Sequence, residues 1–261
     1  MKQIIYQADA FTSELFGGNP AAVCPLVSWL PDDLMQKIGM ENNLSETAFF
    51  VWSNDHFDIR WFTPTTEVDL CGHATLASAF VLFHEEGFKG NQITFHSKRS
   101  GSLTVFRNGD LLTLDFPADQ LTRAELTKEL TGGFNLKPLE AYKGKTDYML
   151  VFNNEREIKN LQPDFQKIAK INARGIIATA KGNEVDFVSR FFGPAAGVNE
   201  DPVTGSAHTT LAPYWSEKLA KKELTAIQLS GRKGYLKCTY LAERVKISGE
   251  CRLYLKGEIF I

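Results

Sequence analysis

The hydrophobic pattern of the chain is dominated by residues 74–83, where only Thr75 and Ser78 interrupt the apolar side chains. A helix at these positions has no strongly polar face, and a helix that is apolar all round has to be buried all round. The stretch follows a polar loop, residues 67–73, which carries two carboxylates, a thiol, a glycine and a histidine. We therefore predict a central buried helix whose first turn, at Gly72 and His73, presents backbone N–H groups that favour an anion.

Alternating and β-rich patterns predict strands on both sides of this helix in the first half of the chain. The predicted strands are residues 3–11, 21–25, 47–52, 57–62, 92–96, 101–106 and 111–116, with a hairpin turn at Asn108 and Gly109. A helix is predicted to begin at Pro31 and to end near residues 42–43, with Leu34, Ile38 and Met40 roughly on one face.

The second half repeats this alternation of helices and strands. The pattern predicts helices at residues 122–130, 163–171 and 205–220 and strands at residues 139–142, 147–152, 175–179 and 185–192. Pro213 is expected to kink or end the helix that contains it. The pattern of residues 225–261 predicts a meander of strands with turns at Gly231, Arg244 and Gly249.

Two short blocks of sequence occur in both halves. Residues 60–64 match residues 190–194 at an offset of 130, and residues 71–74 fall on residues 204–207 at an offset of 133. Each block is a strand ending in Phe-x-Pro, an acidic loop, a glycine and a helix. We interpret this as an internal duplication with α/β halves at residues 1–117 and 118–261, and we keep as an alternative that the final strands cross back to the first half. Because ligand sites often lie between domains, the helix starts at Gly72 and Gly205 are expected to face one cleft, suited to a carboxylate held without Lys or Arg.

Composition and charge exclude several function classes. The 261 residues carry a formal net charge of −2, which gives no electrostatic reason to expect a nucleic acid or an anionic membrane as partner. No apolar run approaches the length of a membrane span, and the N-terminus is too short and polar for a secretory signal. The four cysteines lack CxxC spacing, so neither a zinc site nor a redox motif is indicated. A reducing environment, the cytoplasm, is the simplest expectation for them. No metal-ligand spacing or nucleotide motif is present, and we expect neither a metal nor a cofactor.

Four residues are candidates for chemistry, each with a plainer alternative. Glu46 lies at the mouth of an apolar strand, where burial would raise its pKa toward neutrality; a solvated strand end is the alternative. His73 at a helix N-terminus favours the neutral imidazole, although a structural hydrogen bond is the commoner role. Asp201 is either a site carboxylate or a loop acid before proline. Cys71 is by default a small buried hydrophobe, but the helix end favours a thiolate.

The motifs together resemble those of the phenazine-biosynthesis PhzF family. The resemblance rests on residues 9–12, 18–23, 43–49, 60–64, 69–75 and 200–207. It implies the fold of diaminopimelate epimerase, an α/β (α+β) fold of two pseudo-symmetric halves, each a curved, mostly antiparallel sheet wrapped around a central helix. It also implies an isomerase that moves a proton on a small carboxylate-bearing substrate without cofactor or metal. In that comparison Glu46 matches the general acid/base, and the other site residues are His73 and Asp201, with Ser45, Gly72, Gly205 and Ser206 binding substrate.

One departure separates the chain from the related epimerases, which use a thiol on each side of the reacting carbon. Cys71 occupies the first thiol position, but Thr204 occupies the second, and a hydroxyl is too weak an acid for that role. A proton-shifting isomerase of the allylic (1,3) type is therefore favoured. An amino-acid or hydroxy-acid racemase and a non-catalytic binding protein remain as alternatives. The sequence does not identify the substrate. We expect the protein to form a homodimer.

Overall fold

The computed structural model describes all 261 residues and is built mainly of strands. The strands are β1 (Lys2–Ala10), β2 (Asn19–Leu26), β3 (Glu46–Ser53), β4 (His56–Phe62), β5 (Glu67–Val68), β6 (Gln92–Ser97), β7 (Gly101–Asn108), β8 (Leu111–Pro117), β9 (Thr122–Ala124), β10 (Glu140–Lys143), β11 (Asp147–Val151), β12 (Gly175–Lys181), β13 (Phe187–Gly193), β14 (Val198–Asp201), β15 (Glu223–Gln228), β16 (Gly234–Leu241), β17 (Arg244–Gly249) and β18 (Cys251–Phe260). The helices are α1 (Asp32–Asn42), α2 (Gly72–His84), α3 (Lys128–Thr131), α4 (Glu155–Lys159), α5 (Phe165–Ile168) and α6 (His208–Leu219), with a 3₁₀ turn at Pro194–Ala196. None of these helices combines the length and apolar character that a membrane crossing requires.

The chain separates into two compact units. The first unit comprises Met1–Asp115 and Ser248–Ile261, and the second comprises Phe116–Ile247. The C-terminal strand β18 thus belongs to the first unit, where it pairs antiparallel with β1 from Lys2–Phe260 to Ala10–Cys251.

In the first unit the sheet surrounds the predicted central helix. Strands β2 and β3 run parallel, as do β4 and β6, whereas β1–β2, β3–β4, β4–β5, β6–β7 and β7–β8 are antiparallel. Every residue of α2 from His73 to Phe83 except Phe80 is buried. The hydroxyls of Thr75 and Ser78 donate to backbone carbonyls one turn earlier, at 2.6 and 2.7 Å. Both buried hydroxyls therefore have hydrogen-bond partners. The predicted buried helix is therefore confirmed.

The second unit repeats the strand order and directions of the first. Strands β11 and β12 run parallel, as do β13 and β15, whereas β10–β11, β12–β13, β13–β14 and β15–β16 are antiparallel. Helix α6 lies between β14 and β15 in the chain, just as α2 lies between β5 and β6. The predicted class, a mixed α/β fold with mostly antiparallel sheet and few helices, is confirmed.

Proline 213 does not end α6, contrary to one of the two predicted outcomes. The helix runs without interruption from His208 to Leu219 with Pro213 inside it. Proline has no N–H to donate to the carbonyl four residues earlier, which is that of Thr209. The backbone N–H of Asp119 donates to this carbonyl instead, at 3.1 Å. The orphaned acceptor is thereby satisfied from outside the helix.

Three other local predictions are wrong, for identifiable reasons. Residues 122–130 do not form one helix. Residues 122–124 pair with β10 and form β9. Helix α3 starts only after Thr127, whose side chain accepts a hydrogen bond from the N–H of Leu130. The helix predicted at 163–171 is reduced to α5, followed by i→i+3 turns to Ile171. Met40 is exposed, because the buried face of α1 is formed by Met35, Ile38 and Gly39 at i, i+3 and i+4 spacing.

Two predicted turns also shift by a residue. The hairpin turn occupies Gly109 and Asp110, since Asn108 still pairs with Leu111. Arg244 is the first residue of β17 rather than a turn, and the turn before it lies at residues 242–243.

Candidate active site

The N-terminus of α2 brings together Glu46 and His73 in the first unit. Glu46 is the first residue of β3, and its side chain is 16% exposed; that of His73 is 6% exposed. The carboxylate oxygen Oε2 of Glu46 lies 3.3 Å from Nε2 of His73. The partial exposure leaves the carboxylate accessible to a small ligand, while the histidine is enclosed by protein.

The other ring nitrogen of His73 fixes its tautomer. Asn19 directs its side-chain amide nitrogen at Nδ1 from 3.2 Å, and the thiol of Cys71 lies 3.5 Å from the same atom. An amide nitrogen only donates, so Nδ1 is the acceptor and the proton of the neutral imidazole is on Nε2. Burial lowers the pKa of His73 to about 3, which keeps the ring neutral. His73 therefore presents an N–H group, not a positive charge, to Glu46.

A strained turn sets the position of Asn19. Gly18, directly before it, has a φ of +59°, and a Cβ added there would lie 2.1 Å from the carbonyl oxygen of Ala10. Only glycine fits that position. Asn19 itself is fully buried at the start of β2. Gly18 thus has a role at the site, because it places the residue that orients the imidazole of His73.

In the second unit, Asp201 and Thr204 form a closed hydrogen-bonded group. The hydroxyl of Thr204 donates to the carboxylate of Asp201. The side chain of Gln228 accepts from the N–H of Thr204 at 2.9 Å and donates to the carbonyl oxygen of Asp201 at 2.8 Å. The Thr204 hydroxyl is therefore already bonded to a carboxylate.

Ser206 lies next to a cation that the sequence analysis does not single out. Nη1 of Arg174 donates to Oγ of Ser206 at 2.9 Å. The remaining edge of the guanidinium is held by Asp147, with Nε donating to Oδ1 at 2.9 Å and Nη2 donating to Oδ2. Because Oγ of Ser206 accepts from Arg174, the serine keeps its own hydroxyl proton for a different acceptor.

The helix start predicted at Gly205 is wrong, because α6 begins at His208. Gly205, Ser206 and Ala207 form a turn with i→i+3 bonds, in which the N–H of His208 donates to the carbonyl of Gly205 at 3.0 Å. The tighter turn uses backbone donors that an α-helical N-terminus would leave open. At α2 the prediction holds: the helix begins at Gly72, and its N-cap residue Cys71 makes no side-chain cap.

The structure thus assembles Glu46, Cys71, Gly72 and His73 in one unit and Asp201, Gly205 and Ser206 in the other. Ser45 directly precedes Glu46 and is half-buried. Sequence reasoning missed the hydrogen-bonding roles of Asn19, Arg174 and Gln228. Asn19 lies within the motif at residues 18–23, which is a usable signal, whereas Arg174 and Gln228 belong to no motif.

The two units are not equivalent at the position of Glu46. Thr47 pairs with Phe62 in the first unit, and Ile176 pairs with the matching Phe192 in the second, so the counterpart of Glu46 is Gly175. A Cβ on Gly175 would lie 2.3 Å from the ring of Phe191. No side chain fits there, so only the first unit carries a carboxylate at this position.

A metal ion is poorly suited to the group around His73, although donor atoms of Glu46, Cys71 and His73 all lie within 4.8 Å of one another. The carboxylate lies beside Nε2, and the thiol lies beside Nδ1. A metal bound in the plane of the ring at one nitrogen points away from the donor at the other nitrogen. The three groups therefore do not surround a common point.

The same local arrangement occurs once in each unit outside the site. Arg60 of β4 donates to both carboxylate oxygens of Glu67, at 2.7 and 2.9 Å. Arg190 of β13 donates to both carboxylate oxygens of Glu200, each at 2.8 Å.

The sequence model of the PhzC-PhzF family, described as "Phenazine biosynthesis-like protein", matches residues 8–257. The chain belongs to this family. Sequence recognition from the motifs is thereby confirmed.

Curated and solved members of the PhzC-PhzF family are similar over the whole chain. An uncharacterized isomerase of Pseudomonas aeruginosa is 48% identical over 261 residues, which are 100% of this chain and of that protein. The crystal structure of a PhzF-family protein from Enterococcus faecalis has a TM-score of 0.97 and 44% identity and covers 100% of both chains. Three curated relatives at 47–49% identity are named isomerases, and the predicted enzyme class is confirmed.

The fold extends beyond the PhzC-PhzF family. A hydroxyproline epimerase from Agrobacterium vitis matches 99% of this chain and 92% of its own, with a TM-score of 0.59 and 9% identity. At that identity the likeness concerns the fold alone. It confirms the epimerase-like architecture and leaves the reaction to be argued from the residues.

Proposed function

We propose that this protein shifts a proton, in an allylic (1,3) sense, on a small carboxylate-bearing metabolite and that Glu46 is its general acid/base. The observation that carries the proposal is the contact of the Glu46 carboxylate with Nε2 of a buried, neutral His73 at 3.3 Å. The half-buried carboxylate is accessible to a substrate, and the histidine fixes its orientation. General acid–base catalysis requires such a positioned group within hydrogen-bond reach of the proton it moves.

A single base is supported by the difference between the two units. Inversion of a carbon needs an acid–base group on each face, whereas an allylic shift needs one group that removes a proton and returns it to another carbon on the same face. The counterparts of the first unit's groups are Gly175 for Glu46 and Thr204 for Cys71. Gly175 has no side chain, and the Thr204 hydroxyl is bonded to Asp201.

The neutral His73 has a positioning role in this proposal. Because Asn19 donates to Nδ1, the ring proton is on Nε2, which lies 3.3 Å from Oε2 of Glu46. With a pKa of about 3 it does not deliver a proton as imidazolium near neutral pH. The two atoms are in contact without a hydrogen bond in this structure, and in the proposed reaction a small shift lets Nε2–H donate to one carboxylate oxygen while the other oxygen faces the reacting carbon.

We propose that backbone and hydroxyl groups bind the substrate carboxylate. The uncapped first turn at Gly72 supports this, since helix N-termini favour anions. In the second unit, Ser206 supports it because Arg174 occupies its acceptor side and leaves its O–H as donor. Asp201, Gly205 and Ser45 remain predicted contacts of the same substrate. The matching strand orders and the two Arg–Glu pairs support an origin by internal duplication.

The proposed reaction is tested by incubating the protein in D₂O with small unsaturated and amino acids that carry a carboxylate. The expected result is deuterium in one product together with a moved double bond, seen by NMR. Exchange with inversion at a single carbon would instead identify a racemase. Binding of a panel member with no exchange under any condition would identify a binding protein and reject the proposal.

Cys71→Ala is expected to keep turnover within about 10-fold of wild type. In the proposed reaction the thiol contacts His73 but does not carry the transferred proton, so only packing is lost. Cys24→Ala, at another fully buried thiol, is the matched control for that packing loss. A drop in turnover of several orders of magnitude for Cys71→Ala alone, with circular dichroism unchanged, would revive the racemase.

Ser206→Ala is expected to raise KM by about 10-fold or more with little change in kcat. A hydrogen bond from the hydroxyl to a substrate carboxylate is worth about 1.5–3 kcal/mol and acts equally on ground and transition states. Ser102→Ala, at an exposed serine of β7, is the control. An unchanged KM for Ser206→Ala would remove the serine from the substrate site.

A further inference from the structure

Two histidines and an aspartate form a cluster on β4 and β6, in the first unit but separate from the group around His73. The donor atoms of His56, Asp58 and His96 all lie within 4.8 Å of one another. Asp58 and His96 are paired residues of adjacent parallel strands, and His56 precedes Asp58 by two residues on the same strand face. Regular strand geometry thus presents three metal-ligating side chains from one surface.

The donor distances fit a tetrahedral metal centre. Oδ1 of Asp58 lies 3.2 Å from Nε2 of His56 and 3.5 Å from Nδ1 of His96. Zinc binds histidine nitrogen and carboxylate oxygen at about 2.0–2.2 Å, so two donors of an ideal tetrahedron lie about 3.3–3.5 Å apart. Both histidine nitrogens therefore adjoin the same carboxylate oxygen, which was not the case around His73.

A further carboxylate orients one of the ligands. Nδ1 of His56 lies 2.9 Å from Oδ1 of Asp55. A histidine that donates one ring N–H to a carboxylate has its other nitrogen directed at the metal, and this pairing is common at metal sites. The side chains are 29% exposed for His56, 35% for Asp58 and 44% for His96. They are held in place and are still reachable by an ion from solvent.

We propose that His56, Asp58 and His96 bind one divalent transition-metal ion of the zinc class, with a solvent molecule in the fourth position. Metal binding displaces a proton from Nε2 of His56 if one is present there and leaves the Nδ1–Asp55 hydrogen bond intact. The ion would join β4 to β6, whose ladder contains only the pairs Phe57–Phe95 and Asp58–His96. The expected role is a cross-link that stabilises this short parallel pairing.

The test is a Zn²⁺ titration of the metal-free protein in competition with a chromophoric chelator. The wild type is expected to bind one ion per chain. His56→Gln and His96→Gln are expected to weaken binding more than about 100-fold, and Asp55→Asn about 10–100-fold as an outer partner of the site. His84→Gln, at an exposed histidine of α2, is the matched control and is expected to bind like the wild type.

Two further readouts separate this site from the group around His73. Co²⁺ in the wild type is expected to give visible ligand-field bands without the near-ultraviolet band of a bound thiolate, and Cys71→Ser is expected to leave them unchanged. Excess Zn²⁺ is expected to raise the melting temperature of the wild type but not of His96→Gln. Absence of Zn²⁺ binding, wild-type affinity in either His56→Gln or His96→Gln, or a thiolate band lost in Cys71→Ser would each overturn the proposal.

Discussion

Glu46→Gln is expected to lower turnover by about 100-fold or more while ligand binding is retained. The amide keeps the shape of the carboxylate and its contact with Nε2 of His73 but cannot accept a proton from carbon. General acid–base groups contribute about 10²–10⁴-fold to rate, which sets the expected size of the loss. The variant is compared with wild type in D₂O, by the rate at which deuterium enters the substrate that the panel identifies.

The matched control for this variant is Glu41→Gln, an identical chemical change at an exposed residue of α1. It is expected to turn over at the wild-type rate. Ligand affinity of Glu46→Gln, measured by calorimetry, separates a lost base from a lost fold. Wild-type exchange by Glu46→Gln would remove the residue from the mechanism and reject the proposed function.

The second large effect is a loss of stability in mild acid, caused by two buried histidines. Burial lowers the pKa of His73 to about 3 and that of His208 to about 4. In His208 the Nδ1 atom faces the carbonyl of Thr204 at 2.9 Å, and the buried Nε2 has no hydrogen-bond partner. A proton added at Nε2 would therefore be an unpaired charge among apolar groups.

The sign of the effect follows from proton binding. Unfolded histidine titrates near pH 6.5, so below this pH the unfolded chain binds protons that the folded chain does not, and acid favours unfolding. This stability is present above about pH 6.5 and is lost as the pH falls toward the folded-state pKa values. At about pH 5 each histidine lowers the free energy of unfolding by roughly 2 kcal/mol, and the pair lowers it by roughly 4 kcal/mol.

Urea unfolding at about pH 7 and pH 5 measures this loss. His208→Gln removes one titrating group and keeps a donor for the Thr204 carbonyl, so its loss between the two pH values is expected to be about half that of the wild type. His84→Gln, at an exposed histidine, is expected to behave like the wild type. An equal acid loss in the wild type and His208→Gln would contradict the burial argument.

The fold is most predictable from the sequence where the local hydrophobic pattern agrees with the burial of the element. Helix α2 is predictable because an all-apolar run has no alternative to burial, and β4 alternates between buried and half-buried residues as the sequence pattern predicts. The helix predicted at residues 122–130 fails because pairing of β9 with β10 overrides the local preference, and such a partner lies outside any local window. That Pro213 does not end α6 is not predictable for the same reason, since Asp119, remote in sequence, satisfies the carbonyl that Pro213 leaves open.

The candidate site is predictable only in part. Glu46, His73 and Asp201 stand in motifs, so their residue types and spacing attract attention. The tautomer of His73 depends on Asn19, which is 54 residues away in the chain, and the donor role of Ser206 depends on Arg174, 32 residues away. Such pairs are created by the sheet register, which no single motif encodes. The contrast between Glu46 and Gly175 likewise emerges only when the strand registers of both units are compared.

The central claim, one base acting on one face, is tested most directly by the stereochemistry of proton transfer. A substrate carrying deuterium on one face of the reacting carbon is converted, and the product is analysed by NMR for the face at which the new hydrogen arrives. If Glu46 acts alone, the proton is removed from and returned to the same face of the allylic system. Delivery to the opposite face, or inversion at the original carbon, would require a second acid–base group and would contradict the account.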